Sequence, residues 1–356
     1  MAYRIGLILA LGIVLLFGIR EMAYVTPEKL SPEPVVESYQ PPLGLPPIPW
    51  PKDNAYSPQK AELGRLLYFD KRLSADQTIS CASCHNMRCG YSDCRTLAVG
   101  IEGAKGTRHS PTIINAAYSK LLFWDGRAAS LEEQCKGPIA NPHEMANEKN
   151  VHAAHMRCET QVRNIPGYRK LFSDVFGHTE ITIEDIAKAI ATFERTVLSG
   201  NSPYDRYQAG GAKRSLLTKE EFHGQQIFFM SGCADCHSAP NFSDDKFYNI
   251  GIGMDLPNPD TGRFAITNQA SDWGAFKVPT LREVTHTGPY MHDGSIKTLE
   301  EVIEYYDKGG NPNKNLHPLI HPLYLTASDK LDLIAFLKTL NGEGWQHFQE
   351  PAQFPQ

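Results

Sequence analysis

Cys81-Ala-Ser-Cys84-His85 and Cys233-Ala-Asp-Cys236-His237 are the two stretches of this sequence that decide its fold. Both have the pattern C-x-x-C-H, in which two thiols three positions apart can bond to the two vinyl groups of one porphyrin. The histidine that follows is then held beneath the iron as an axial ligand. Zinc is a poorer interpretation, because each motif already supplies a complete haem attachment set. The sequence therefore predicts two covalently bound haem c groups, with His85 and His237 as iron ligands.

A helix is predicted before each motif. Ser57 has the properties of an N-cap and Pro58 those of a first helical residue, so a helix should begin there. Residues 218–221 form a capping box, which predicts the start of a helix that leads to Phe229. The chain thus resembles one duplicated unit, in which a helix, a haem motif, loops and closing helices follow one another.

The closing helices have similar start signals, whereas no run of residues has the alternation of a strand. Ser130 and Thr298 are each followed by a glutamate three positions later, as in a capping box. Periodic apolar residues predict two longer helices, over 182–198 and 328–340. The predicted fold class is mainly α, with two cytochrome c-type haem domains and long loops.

The N-terminus predicts export. Residues 5–19 form an apolar stretch between Arg4 and Arg20, and its fifteen residues fall short of the roughly 20 that a membrane span needs. Residues 1–25 are therefore interpreted as a signal peptide, with an uncleaved N-terminal membrane anchor as the alternative. Either would deliver the remaining chain to the periplasm, where bacteria attach haem c.

Four further segments follow. Residues 26–56 are rich in proline and predict an extended linker, so that the folded part begins near Ser57. The duplicated pattern predicts an N-terminal haem domain over 57–205 and a C-terminal haem domain over 206–345. Residues 346–356 form a tail. The formal net charge is −5 and no Lys/Arg-rich run occurs, so a nucleic-acid partner is not expected.

Four cysteines lie outside the haem motifs: Cys89, Cys94, Cys135 and Cys158. In an oxidising compartment they could form two structural disulfides, for which three pairings exist. The sequence does not choose among these pairings, and free redox-active thiols are the alternative interpretation.

The chemistry of each haem depends on whether its iron has a second axial ligand besides the motif histidine. A five-coordinate haem can bind peroxide, whereas a six-coordinate haem transfers electrons only. Cleavage of the O–O bond needs a group that moves a proton from one oxygen to the other, and a carboxylate over the open face can do this. Glu144, in the loop 141–145 with the sequence Asn-Pro-His-Glu-Met, is a candidate for this role.

Three segments carry a resemblance to a known family. They are RHSPTIINAAYSKLLFWDGRAASLEEQ (108–134), NPHEM (141–145) and FKVPTLREVTHTGPYMHDGSIKTLEEV (276–302). Together with the two haem motifs they resemble the bacterial di-haem cytochrome c peroxidase family, which includes the MauG-like enzymes, over about residues 55–342. The resemblance implies that the N-terminal haem is peroxidatic, that the C-terminal haem transfers electrons, and that Glu144 is the catalytic glutamate. It also implies that Trp124 lies between the two haems and relays electrons.

Ile101 departs from the pattern of many family peroxidases. The resemblance places it where those enzymes have a histidine that caps the first iron until the second haem is reduced. Because isoleucine cannot bind iron, the first haem is expected to be open in the ferric state. His109 is a rival ligand nearby, at a position where many relatives have asparagine.

Tyr306 is the second departure. Ordinary family members have a methionine ligand fourteen residues after the histidine that corresponds to His292, and Tyr306 stands there. This matches the tyrosine ligand of MauG-like enzymes. The helical period also predicts that Tyr306 faces inward, while Tyr305 points about 100° away. The alternative is that Tyr306 only packs, and that Met291 or Met254 binds the iron.

The family also places a calcium ion between the haems. Thr287 and Pro289 match the residues whose carbonyl oxygens bind it, whereas His109 replaces the usual asparagine ligand. A neutral imidazole suits Ca²⁺ poorly. The sequence therefore predicts two haem c groups and leaves calcium open.

Three functions follow from these expectations. The first is a MauG-like oxidase, which uses hydrogen peroxide and oxidises a residue of a separate protein, preferentially a tryptophan. The second is a peroxidase that receives electrons from a small cytochrome c or a cupredoxin. The third is a di-haem electron-transfer protein without catalysis. Glu144, Ile101 and Tyr306 together favour the first.

Overall fold

The computed structural model describes residues 39–356. The predicted signal peptide or anchor, together with the first part of the linker, lies outside the described residues. The described helices and strands have these bounds: α1 Pro58–Phe69, α2 Cys81–Cys84, α3 Leu131–Ile139, α4 Val151–Arg163, α5 Pro166–Phe176, α6 Ile183–Glu194, α7 Pro203–Ala209, α8 Lys219–Met230, α9 Cys233–Cys236, α10 Phe264–Thr267, α11 Leu299–Asp307, α12 Ala327–Lys338, β1 Ser199–Gly200, β2 Phe247–Tyr248, β3 Phe276–Lys277 and β4 Glu343–Gly344. The mainly α fold class is confirmed.

The predicted caps begin their helices. The Ser57 hydroxyl accepts a hydrogen bond from the Lys60 N–H at 3.2 Å, and Thr218 and Thr298 each begin a complete capping box. Two boundaries differ from prediction. Helix α6 ends at Glu194 rather than near residue 198, and α12 begins one residue earlier than predicted because the hydroxyl of Thr326 accepts the N–H of Asp329.

The first core is built around α1 and α6, with α3, α4 and α5 packed beside them. Gly64 of α1 lies against the backbone of α6, where an added Cβ would lie 1.9 Å from the carbonyl oxygen of Ala189. Only glycine permits this close approach. Buried aromatic side chains such as Tyr68 and Phe193 fill the interface around it, with ring centroids 5.1 Å apart.

The second core repeats this arrangement. Helix α8 crosses α12, and a Cβ on Gly224 would lie 1.8 Å from the carbonyl oxygen of Asp332. Phe228 and Phe336 pack beside the crossing, with ring centroids 5.1 Å apart. In both cores the helix before the haem motif therefore crosses a closing helix at a glycine, as the predicted duplication implies.

Helix α7 spans the predicted domain boundary at 205/206. Its residues Tyr204 and Tyr207 are buried in the second core. Asp205, in the same helix, makes a fully buried ion pair with Arg282, with N–O distances of 2.5 and 2.8 Å. The chain before the second haem motif is therefore fastened to the C-terminal half.

The part of the predicted linker that the structure describes is packed rather than free. Ile48 is buried with Leu198, and the Tyr118 hydroxyl donates to the carbonyl of Pro46 at 2.8 Å. Its prolines favour an extended backbone, and its large side chains pack against the rest of the folded chain. The packed part of the chain therefore begins before Ser57. The C-terminal tail is also packed, with Phe354 against the first core.

One disulfide joins Cys89 to Cys94, directly after the first haem motif. Cys135 and Cys158 are separate, buried thiols. The expectation of two disulfides is therefore wrong for this second pair: both thiols are free and buried among the apolar side chains of the first core. Within residues 39–356, no helix has the length and apolar character needed to cross a membrane.

Candidate active site

The two haem motifs adopt the same local structure. Each C-x-x-C segment is a single helical turn, α2 or α9, and its histidine is the C-cap. The N–H of His85 donates to the carbonyl of Cys81 at 2.9 Å, and His237 makes the same bond to Cys233 at 2.9 Å. Both thiols of each motif are unpaired with any other sulfur. The four cysteines are thus free to form thioether bonds.

The rings of both histidines are oriented by a backbone carbonyl. Nδ1 of His85 lies 2.8 Å from the carbonyl oxygen of Pro111, and Nδ1 of His237 lies 3.0 Å from that of Phe242. A carbonyl can only accept, so Nδ1 carries the proton and the Nε2 lone pair is available to iron. Burial lowers the pKa of both histidines, which favours the neutral form. These residues fit two haem c groups.

An apolar cavity of about 300 Å³ adjoins the second motif. Cys233, Cys236 and His237 line it, and Tyr306 of α11 faces it as well. A mainly apolar cavity with few polar groups is the usual form of a cofactor site. The neighbouring Tyr305 turns away, and its hydroxyl donates to the carbonyl of Ile250 at 2.8 Å. Of the two tyrosines, Tyr306 is therefore the one that lines the cavity, while Tyr305 is buried outside its lining.

The rival ligands at this cavity differ in position. Met291 lines the cavity, whereas Met254 is not among its lining residues and its sulfur lies near Gly274. Burial raises the pKa of the Tyr306 hydroxyl above its ordinary value, so the phenol is protonated unless a cation binds it. Tyr306 and His237 therefore line the same cavity. Of the two methionines that could bind the iron instead of Tyr306, Met291 lines this cavity as well.

Glu144 is held in its loop by hydrogen bonds to both its side chain and its backbone. The side-chain amide of Asn141 donates to Oε1 of Glu144 at 2.6 Å, and the N–H of Ile101 donates to its carbonyl oxygen at 2.9 Å. Gly100 lies directly against this loop, where a Cβ would lie 2.2 Å from the carbonyl oxygen of His143. Ile101 stands at the position of the family's capping histidine, and Glu144 is the candidate catalytic residue. The two are thus joined by a backbone hydrogen bond.

The electrostatics of Glu144 connect it with the first haem motif. Burial raises the pKa of the Glu144 carboxyl, while the Arg127 guanidinium and the Asn141 amide oppose this shift. Burial, together with the charges of Asp93 and Glu144, raises the pKa of the Cys84 thiol to about 11. A carboxylate that influences the Cys84 sulfur lies close to the first attachment site.

Trp124 is fixed at both its indole and its backbone. Its indole N–H donates to the carbonyl of His109 at 2.8 Å, and its carbonyl accepts from the N–H of Lys277 in β3 at 2.8 Å. Trp124 also lines the cavity that contains Tyr306. The side chain therefore lies between a loop of the first half and a strand of the second half.

His292 and Phe276 are two residues of this junction to which the sequence assigned no role. Their rings stack with centroids 3.5 Å apart and an interplanar angle of 9°. The carbonyl of His292 accepts the N–H of His109 at 2.8 Å, which joins the stacked pair to the residue that holds Trp124. The motif around His292 indicated family membership only, and nothing in the sequence indicated the stacking.

An ionic cluster closes the junction. The guanidinium of Arg108 contacts Asp125 at 2.6 Å and Asp260 at 2.7 Å, so it joins both halves. Arg127 also pairs with Asp125, at 2.8 Å. The pair of Arg108 with Asp260 has no sequence signal, because its members are 152 residues apart along the chain.

Thr287 and Pro289 also line the cavity, together with His109. The carbonyl of Thr287 accepts from the hydroxyl of Ser92 at 3.4 Å. His109 is only 4% exposed, and its Nε2 atom has no hydrogen-bond partner within the described residues. An imidazole nitrogen and two carbonyl oxygens are a poor set of ligands for Ca²⁺, which prefers six to eight oxygen ligands.

The fold and the two attachment sites define a c-type cytochrome with two haem domains. Residues 58–213 match the family model for di-haem cytochrome c peroxidase, and residues 223–341 match the model for cytochrome c. The chain therefore belongs to the di-haem cytochrome c peroxidase family, as the sequence resemblance predicted, and it is an oxidoreductase of the haem peroxidase class.

Relatives from both branches of the family are similar to this chain. It is 39% identical to methylamine utilization protein MauG of Methylorubrum extorquens, over 83% of this chain and 82% of the relative. It is 38% identical to cytochrome c551 peroxidase of Nitrosomonas europaea, over 80% of each chain. The crystal structure of a MauG-like protein associated with microbial copper homeostasis is 35% identical, covers 86% of this chain and 96% of its own, and superposes with a TM-score of 0.79.

Proposed function

We propose that this protein uses hydrogen peroxide at its N-terminal haem site to oxidise a residue of a partner protein, with tryptophan as the preferred target. The observation that carries the proposal is the contact between Ile101 and Glu144. The carboxylate loop is held by a residue whose side chain cannot bind iron. The peroxide site would therefore be accessible without prior reduction of the protein.

The residues that would hold the two haem c groups are the four motif cysteines with His85, His237 and Tyr306. When bound, these groups supply the irons that react with peroxide and the redox capacity that stores oxidising equivalents across both sites. The protein contributes proton transfer, a path for electrons between the sites, and the orientation of both.

Glu144 is proposed as the proton-transfer group. Its carboxylate would accept the proton of the peroxide oxygen that stays at the haem site. It would then pass this proton to the other oxygen, which leaves as water. Asn141 keeps Oε1 in one orientation through its 2.6 Å hydrogen bond. Because burial raises the pKa of Glu144, the carboxylate is a better base than an exposed one.

Trp124 is proposed as the electron relay between the two sites. An indole that transfers an electron needs a fixed position. The indole N–H of Trp124 is held by a 2.8 Å hydrogen bond, and a second 2.8 Å hydrogen bond holds its backbone carbonyl. The bond from the indole N–H to the His109 carbonyl would also stabilise positive charge on the ring. Its position along the wall of the Tyr306 cavity supports this assignment.

Tyr306 is proposed as the second ligand at the C-terminal site. A phenolate favours ferric and higher oxidation states more than a thioether does, so this site would store oxidising equivalents rather than supply electrons readily. Its position in the wall of the cavity that the attachment motif also lines supports the assignment. The raised pKa means that loss of the phenolic proton has to accompany binding of the iron.

The partner and the compartment follow from the same chemistry. Membership of the family implies hydrogen peroxide and a protein that is either oxidised or supplies electrons. We place the protein in the periplasm, because haem c attachment and the Cys89–Cys94 disulfide both suit an oxidising compartment. Calcium is needed for none of the proton or electron transfers proposed.

A cytochrome c peroxidase is the second candidate function. It is favoured by the 38% identity to cytochrome c551 peroxidase of Nitrosomonas europaea. Such an enzyme would reduce peroxide to water with electrons from a small cytochrome c or a cupredoxin, and would leave no modified residue on its partner. The two functions differ in whether the fully ferric protein is competent.

The test compares peroxide consumption by the fully ferric protein and by protein that has received one electron. An oxidase of the proposed type consumes peroxide at once in the ferric form, and reduction brings no large acceleration. If only the half-reduced form consumes peroxide, the second candidate is correct and Ile101 does not leave the first site open.

A further inference from the structure

His109 is enclosed at the junction between the two haem sites, and all but one of its polar atoms are paired. Its N–H donates to the carbonyl of His292 at 2.8 Å, and its carbonyl accepts the indole N–H of Trp124 at 2.8 Å. On the ring, Nδ1 lies 3.1 Å from the carbonyl oxygen of Arg95. Only Nε2 is without a partner within the described residues.

The hydrogen bonds assign the protonation of the ring. Because the Arg95 carbonyl can only accept, Nδ1 carries the proton and Nε2 presents a lone pair. Burial lowers the pKa of His109, although the nearby carbonyls and carboxylates oppose this shift, so the ring is neutral. The unpaired atom is therefore an acceptor, which calls for an O–H or N–H donor rather than for a hard cation.

The residues that match the family's calcium ligands, His109, Thr287 and Pro289, carry no negative charge. They would offer a neutral nitrogen and the carbonyl oxygens of Thr287 and Pro289, which line the same cavity as His109. Asp93, a buried carboxylate nearby, is already paired with Arg95 at 2.8 Å. Ca²⁺ takes six to eight oxygen ligands, usually including carboxylates, and a neutral set with a nitrogen member binds it weakly.

We propose that His109 makes the junction between the two haem sites independent of calcium. Its three hydrogen bonds join the loop at Arg95, the relay candidate Trp124 and the stacked residue His292. The bonds to His292 and Trp124 are made by the backbone of His109, and the bond to the Arg95 carbonyl is made by its imidazole Nδ1. Together they connect both halves of the junction without an ion. The coupling between the halves then requires no metal other than the two haem irons.

Calcium content tests this proposal directly on the holoprotein. Purified protein is passed over a gel-filtration column and its calcium is measured by mass spectrometry, before and after treatment with EGTA. We expect no stoichiometric calcium, and we expect EGTA to leave the EPR signals of both haems unchanged. One equivalent of calcium, whose removal shifts either EPR signal, would overturn the proposal.

A gain-of-function variant tests the part played by His109. The substitution His109→Asn replaces the nitrogen donor by an amide oxygen, and we expect it to bind one Ca²⁺ and to melt at a higher temperature when Ca²⁺ is added. His152→Asn, at an exposed position in α4, is the matched control and should show no such shift. A folded His109→Asn protein that binds no calcium would show that His109 is not what excludes the ion. If this variant does not fold, the calcium content of the unaltered protein still decides the proposal.

Discussion

The backbone N–H of Ile101 donates a 2.9 Å hydrogen bond to the carbonyl oxygen of Glu144. This bond joins the loop that follows the first haem motif to the loop of the candidate catalytic carboxylate. It fixes the distance between the two loops without involving either side chain. We therefore propose that the side chain at position 101 decides whether a ligand for iron is present beside Glu144, while the loop geometry can stay the same.

The substitution Ile101→His should close the first site. An imidazole at this position can bind the iron, so the ferric protein should become six-coordinate and low-spin there, and its reaction with peroxide should require one added electron. EPR of the ferric protein and peroxide consumption measure the two effects. Ile101→Leu is the control and should leave the site open. A high-spin signal in a folded Ile101→His protein would contradict this account.

The substitution Glu144→Gln should slow the reaction with peroxide by about 10²–10⁴-fold, which is the usual contribution of a positioned proton-transfer group. Glutamine keeps the hydrogen bond with Asn141 but cannot accept a proton. Stopped-flow mixing of ferric protein with peroxide gives the rate. Glu102→Gln, at an exposed position of the adjacent loop, should react normally. An unchanged rate in Glu144→Gln would remove the proton-transfer role from this residue.

The rate of the peroxide reaction should fall at acid pH. Glu144 acts as a base, so it must be ionised, and burial raises its pKa above the ordinary value. The rate therefore declines as the pH falls through this raised pKa. Arg127 lowers the pKa of Glu144 by its positive charge, so Arg127→Ala should move the acid limb of the pH–rate profile to higher pH. The control is Arg88→Ala, which removes another exposed arginine and should leave the acid limb of the profile in place. A shift toward lower pH in Arg127→Ala would contradict the assigned electrostatics.

The substitution Tyr306→Phe should remove a ligand from the C-terminal haem. The low-spin EPR signal of that haem should be lost or replaced, because phenylalanine cannot bind iron. Tyr305→Phe is the matched control, since it removes only the hydrogen bond to the Ile250 carbonyl, worth about 1 kcal/mol, and leaves the cavity wall intact. If Tyr306→Phe retains the original signal, Met291 becomes the ligand to examine.

The buried ion pair of Arg282 with Asp205 should be important for stability. Replacing Arg282 by leucine leaves a buried carboxylate without its partner, which typically costs about 3–5 kcal/mol. Chemical denaturation of the variant measures the loss in the free energy of unfolding. Arg206→Leu, which alters an exposed neighbour in α7, should cost much less. A loss below about 1 kcal/mol for Arg282→Leu would mean that the pair is not buried as described.

Much of the fold follows from local signals. The caps at Ser57, Thr218 and Thr298 act within three or four residues, so the sequence alone indicates where those helices begin. The packing of residues 39–56 and of the C-terminal tail depends on distant partners, and proline content gave no indication of it. The same limit applies to Cys135 and Cys158, whose separation is set by the packing of helices around them.

The candidate site likewise has parts that the sequence predicts and parts that it does not. The covalent motif indicates the attachment residues, and the helical period predicted that Tyr306 rather than Tyr305 faces the haem. Tyr306 lines the cavity, and Tyr305 is buried with its hydroxyl bonded to the Ile250 carbonyl. The network that holds Trp124 could not be predicted, because it uses backbone groups of His109, Lys277 and His292 that every residue type possesses. The stacking of Phe276 on His292 likewise depends on strand β3 and a loop whose relative position has no local determinant.

We claim that the first haem site is open in the ferric protein. The test is to add one equivalent of hydrogen peroxide to the fully ferric protein and to record its optical and EPR spectra on the millisecond scale. An accessible first site that shares its oxidising equivalents with the second predicts rapid loss of both ferric EPR signals together. Spectra that stay unchanged until one electron is supplied would contradict the claim and would identify the protein as a reductively activated peroxidase.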